Sequence, residues 1–112
     1  MPYLRFKGFQ REALERMSPL IVDEFAYIVN IPKEKVKIEL LPVMQITHSP
    51  LSVEIQMFQR EQETHDALAL AMNRLFDEFG CHHVHIYFVI LSPTLYYKEG
   101  KPLKVIPEHH FG

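Results

Sequence analysis

Phe9-Gln10-Arg11-Glu12 and Phe58-Gln59-Arg60-Glu61 are the same four residues in the same order, met twice in a chain of 112. Each copy follows a short alternating stretch and precedes a long pattern of helical spacing that gives way to a second alternating stretch. Around the first copy Leu4 and Phe6 share one face, Leu14, Met17, Ile21, Phe25 and Ile28 recur at intervals of three and four, and Val36, Ile38 and Leu40 alternate. Around the second, Val53, Ile55 and Met57 alternate, Leu68, Ala71, Met72, Leu75 and Phe79 form a helical stripe, and Val84, Ile86, Phe88 and Ile90 alternate again. The repetition predicts two βαβ units, over about residues 2–46 and 52–91, followed by a C-terminal segment 92–112, in one domain spanning 1–112. Right-handed crossovers put both helices on the same side, so the expected fold class is α+β: duplicated βαβ units forming one four-stranded mixed sheet with two helices on one face.

Local signals punctuate this pattern. Asn30 and Pro32 mark the end of the first helix, and Gly80 suits the left-handed residue that closes the second. Pro19 lies inside the first helical stretch, where it removes a backbone donor and crowds the preceding turn. A kink, or a restart with Ser18 as cap, is the expectation there.

The sheet face away from the helices would carry Arg5, Lys7, Lys37, Glu39, Glu54, Gln56, His85 and Tyr87, with apolar Leu41, Val43, Met44, Ile46, Val89 and Leu91 toward the strand ends. Opposite charges are expected to pair across strands. The apolar ends and open strand edges predict a homo-oligomer that packs these faces around a shared centre.

Composition narrows the class. With 47% hydrophobic and 12% aromatic residues the chain can build a core, and a net charge of −2 with mixed signs speaks against a nucleic-acid partner. The longest apolar run, Ile86 to Leu91, is too short to span a bilayer, and no charged-then-apolar leader precedes the first strand. Cys81, the single cysteine, has no internal disulfide partner, which fits a reducing compartment; a cytoplasmic location is expected. Dinucleotide and phosphate-loop glycine patterns and a serine nucleophile elbow are missing, and no cofactor is expected.

Two features carry candidate chemistry. If Met1 is removed, Pro2 presents a secondary amine at the start of a strand; a free α-amino group titrates at roughly 7.7–8.0, so an apolar pocket or a nearby cation makes it a base near neutrality. Proline also simply suits the first residue of a strand, where it costs no ladder bond. The second feature is a run of imidazoles. His82, His83 and His85 crowd one segment, with His83 and His85 expected on one strand face and His109 and His110 able to approach, which offers zinc or copper binding as a rival. No cysteine pair or ligand-spaced carboxylate accompanies them, and no metal site is assigned.

Met1-Pro2 opening a strand, two βαβ repeats, and Val84-His85-Ile86-Tyr87-Phe88-Val89 as the last core strand resemble the tautomerase superfamily, above all its two-repeat members similar to macrophage migration inhibitory factor. The stretch Val53 to Phe58 with Arg60-Glu61-Gln62, and Tyr96-Tyr97 with Gly100, look like a small bacterial tautomerase-like group of unknown function. The resemblance implies a homotrimer with a pocket at each subunit boundary and Pro2 as general base and acid in the enol–keto isomerisation of a small carboxylate-bearing acid. It implies substrate binding by Arg11, which in one-repeat members reaches a neighbouring subunit, by its counterpart Arg60, and by Lys33, His85 and Tyr87. A catalytically silent small-molecule or protein-binding member of the same fold is the alternative.

Overall fold

The computed structural model describes residues 2–104; His109 and His110 lie outside them. In chain order the elements are β1 (Tyr3–Lys7), α1 (Arg11–Val29), a single 3-10 turn (Lys33–Lys35), β2 (Lys37–Leu41), β3 (Ser52–Phe58), α2 (Gln62–Glu78), β4 (His85–Leu91), β5 (Tyr97–Lys98) and β6 (Lys101–Pro102). The main sheet has the order β2-β1-β3-β4, parallel between β1 and β2 and between β3 and β4, antiparallel where β1 meets β3. Two βαβ units joined back to back give this mixed sheet, as the repetition predicts.

Alternation decides which face is covered. Leu4, Phe6, Val53, Ile55 and Met57 point under the helices and are buried, where they meet Leu14, Met17, Ile21 and Phe25 of α1 and Leu68, Met72, Leu75 and Phe76 of α2. Phe6, Phe9 and Phe76 stack in tilted and edge contacts 5.1–6.0 Å apart, knitting the two repeats together. Gly8, at φ +87, makes the turn that returns Phe9 to this core. Ile90, expected as core, is about half exposed because β4 is an edge strand.

Both helices end on a left-handed residue. Asn30 (φ 61) closes α1, and Gly80 (φ 80) closes α2, where the N–H groups of Gly80 and Cys81 donate to Asp77 O and Phe76 O. Pro19 does not break α1, which runs without interruption from Arg11 to Val29. The expected restart is corrected by a local substitution of donors: Pro19 cannot donate to Glu15 O, and Ser18 Oγ donates to that carbonyl instead at 2.9 Å.

The opposite sheet face pairs its charges across strands. Arg5 Nε lies 3.2 Å from Glu39, its Nη1 3.8 Å from Glu54, and Lys7 Nζ 3.7 Å from Glu54, while Gln56 Nε2 and the Tyr87 hydroxyl donate to the same carboxylate. Lys7 also donates to the Tyr87 hydroxyl at 3.0 Å, which holds its ammonium above the usual lysine range. Val43, Met44 and Ile46 sit beyond the end of β2, in the connection to β3, rather than on a strand. Met44 and Ile46 are over four-fifths exposed, and Val89 is partly exposed on β4. β5 and β6 form a separate hairpin whose turn, Glu99-Gly100, has two positive φ angles, as a tight right-twisted hairpin requires.

Candidate functional site

Strand direction sorts the candidate residues into two ends of the sheet. Pro2 immediately precedes β1, and Arg11 stands past its other end, about 17 Å of strand away. Because β3 runs antiparallel to β1, with Tyr3 opposite Gln56, the end of β3 lies beside the start of β1 and brings Phe58 and Arg60 to Pro2. β4 runs parallel to β3, so His85, opposite Ser52, lies at the far end and Leu91 at the Pro2 end.

At the near end Pro2 is buried, and its carbonyl accepts the N–H of Lys37 at 3.0 Å. A cavity of about 30 Å³ adjoins it, lined by Pro2, Val29, Ile31, Met57, Phe58 and Arg60. The walls are apolar except for the arginine. Arg60 Nη1 donates to Val29 O at 3.0 Å, so this cation satisfies the last carbonyl of α1, a helix with no basic residue of its own in the final turn. The backbone of Arg60 is held as well: its N–H donates to His65 Nε2 at 3.1 Å, and the His65 ring packs edge-on against Phe88 at 4.5 Å. His65 Nδ1 is buried with no partner among the described residues. Nothing in the sequence singled out His65; its place five residues after Arg60, in the first turn of α2, is the only local clue.

Arg11 occupies the opposite end. It is the first residue of α1, more than three-quarters exposed, and pairs at 3.3 Å with Glu15 four residues on. Lys33 follows α1 and pairs with Asp23 at 2.9 Å. Tyr87 belongs to the charged cluster of the open face with Lys7 and Glu54, and His85 begins β4 beyond it. One chain therefore joins Pro2 and Arg60 at a single cavity and leaves Arg11, His85 and Tyr87 at the other end or middle of the sheet.

Tyr96 adds a contact invisible to sequence spacing. Its hydroxyl lies 3.1 Å from that of Tyr3, and its ring meets Phe58 at 6.0 Å in an edge arrangement. The hydrogen bond to Tyr3, with burial second, holds the Tyr96 phenol above the ordinary tyrosine range.

The histidines disperse. His82 Nδ1 turns to Asp77 at 2.9 Å, and His83 takes a positive φ of 58 in the loop before β4, off the strand face it was expected to share with His85. Among the described residues no group of three or more His, Cys, Asp or Glu side chains converges as a metal site. No helix among them is long and apolar enough to cross a membrane.

The architecture is found in solved structures. A protein of unknown function from Sebaldella termitidis superposes with a TM-score of 0.83 at 21% identity, over 91% of this chain and 99% of that one. A protein designated Pt0534, solved after inactivation by 2-oxo-3-pentynoate, matches with a TM-score of 0.71 at 15% identity, over 90% and 95% of the two chains. A fused 4-OT solved as an asymmetric trimer matches with a TM-score of 0.75 at 11% identity, again over 90% and 95%. These likenesses establish the tautomerase fold. No curated protein matches the sequence. The family is shown by a model matching residues 1–102: the chain belongs to the domain of unknown function family DUF1904.

Proposed function

We infer that this protein catalyses the enol–keto isomerisation of a small carboxylate-bearing acid, with Pro2 as general base and acid once Met1 is removed. The observation that carries the reading is the convergence of Pro2 and Arg60 on one apolar cavity within a single chain. The amine takes a proton from carbon or oxygen of the substrate and returns it to the other. Arg60 offers a planar pair of donors to the carboxylate or to the developing enolate. That a protein of this fold is inactivated by 2-oxo-3-pentynoate, a 2-keto acid, supports the substrate class.

The same reading makes the protein a cytoplasmic homotrimer. Exposed Val43, Met44, Ile46, Val89 and Tyr97 supply apolar surface for neighbouring subunits, and a protein of this fold forms a trimer. Arg11, His85 and Tyr87 reach a Pro2 site only if a neighbouring subunit presents them. Lys33 reaches one by leaving Asp23, and it joins Arg60 as a second cation for the carboxylate.

A second reading, a catalytically silent binding member, is favoured by the small size of the cavity, about 30 Å³, roughly the share of one water in the liquid. Intact-mass measurement of untagged protein separates the two, because only loss of Met1 frees the amine. With the amine free, phenylpyruvate ketonisation followed by ultraviolet absorbance should proceed and fall by about 100-fold or more in Pro2→Ala. An unchanged rate in that variant rejects the mechanism.

A further inference from the structure

We propose that Tyr96 is a specificity-determining positioning residue: bonded to Tyr3 and backed against Phe58, it holds the wall that limits what reaches Pro2. The proposal rests on the reading of Pro2 as the reacting base.

Phe58 is the side chain shared by two spaces. On one side is the cavity of about 30 Å³ at Pro2; on the other is a groove of about 340 Å³ lined by Phe58, Gln59, Ile90, Leu91, Ser92 and Pro93. The first alone holds about one water, and even the smallest 2-keto acid needs several times that volume. Joined to the second, it reaches the size of ordinary small-molecule sites. Phe58 is therefore the ring whose movement joins the Pro2 cavity to this groove.

That ring is held from behind by Tyr96. The two rings meet edge to face at 6.0 Å, and the Tyr96 hydroxyl is tied to Tyr3, the residue that follows Pro2, at 3.1 Å. The segment carrying Tyr96 is itself fixed by three backbone bonds, Leu95 N–H to Ser92 O, Leu103 N–H to Tyr96 O and Lys104 N–H to Pro93 O. Breaking the hydroxyl pair frees the Tyr96 ring to withdraw, and Phe58 can then follow it away from Pro2, which joins the cavity to the groove. The pair consequently favours small, unbranched keto acids over bulky ones.

The test compares two alkylating 2-keto acids, 2-oxo-3-pentynoate and its bulkier homologue 2-oxo-4-phenyl-3-butynoate. In each case the Pro2 nitrogen adds to the alkyne carbon distal to the ketone, a C–N bond replacing one π bond, and the nitrogen's proton passes to the adjacent carbon. Tyr3→Phe and Tyr96→Phe should each raise the ratio of bulky to small labelling rates about fivefold, the factor expected from one net hydroxyl hydrogen bond. The double variant should do no more than either alone, since both remove the same bond. A wild-type ratio in both single variants overturns the proposal. If neither reagent labels the wild type, the reading of Pro2 fails, and amide exchange at Phe58, Gln59 and Arg60 decides the latch separately: severalfold faster exchange in both variants supports it, and unchanged exchange overturns it.

Discussion

The two copies of Phe-Gln-Arg-Glu share one sequence and do different work at opposite ends of the sheet. In the first, Phe9 lies buried between Phe6 and Phe76, and Arg11 opens α1 and pairs with Glu15 in solvent. In the second, Phe58 stands half-buried at the mouth of the Pro2 cavity, and Arg60 precedes α2 by two residues. That shift in helix start lets its guanidinium cross to Val29 O. Four residues beyond Arg60 stands Thr64, where Glu15 stands four residues beyond Arg11. The same residues give a structural corner in one repeat and a candidate site in the other, because only the second copy lies beside Pro2.

Substitution of the phenylalanines sharpens this contrast most. Phe9→Ala should cost about 3–5 kcal/mol in urea unfolding, as a truncated core aromatic does, whereas Phe58→Ala should cost about 1 kcal/mol. Equal losses would show that the two copies share one structural role.

The arginines come next. Arg60→Ala leaves the last carbonyl of α1 without its cation and should lower stability by about 1 kcal/mol, against less than about 0.5 kcal/mol for Arg11→Ala, whose exposed pair is worth little. A larger loss from Arg11 would place that residue in a subunit interface.

Much of this fold is legible in the sequence, for physical reasons. Strands and helices reveal themselves through periods of two and 3.6, and the buried sets Leu4/Phe6, Val53/Ile55/Met57 and Leu14/Met17/Ile21/Phe25 follow from that alone. Asn30 and Gly80 close the helices because few other residues tolerate the left-handed conformation. Pro19 misleads because the donor that compensates for it, Ser18 Oγ, acts through a side-chain contact that the helical period does not reveal. Which arginine meets Pro2 depends on the antiparallel meeting of β1 and β3, a tertiary fact to which periodicity is blind. The Tyr3–Tyr96 bond spans 93 residues and leaves no local trace.

The smallest expected effect is a titration. The Tyr96 phenol is held above the usual value of about 10 by Tyr3, so the bond contributes stability below that value and loses it as pH rises through the raised one. Ultraviolet titration of tyrosinate should show one late-ionising phenol that ionises earlier in Tyr3→Phe. Identical titration curves would show that the hydroxyls do not meet in solution.

The central claim, that Pro2 and Arg60 of the same chain form one reacting site, is tested most directly by labelling with 2-oxo-3-pentynoate and mapping the modified residue. The account predicts the label on the Pro2 nitrogen, formed about 30-fold more slowly in Arg60→Ala because the carboxylate loses its paired donors. A label elsewhere, or an Arg60→Ala rate equal to the wild type, would contradict it.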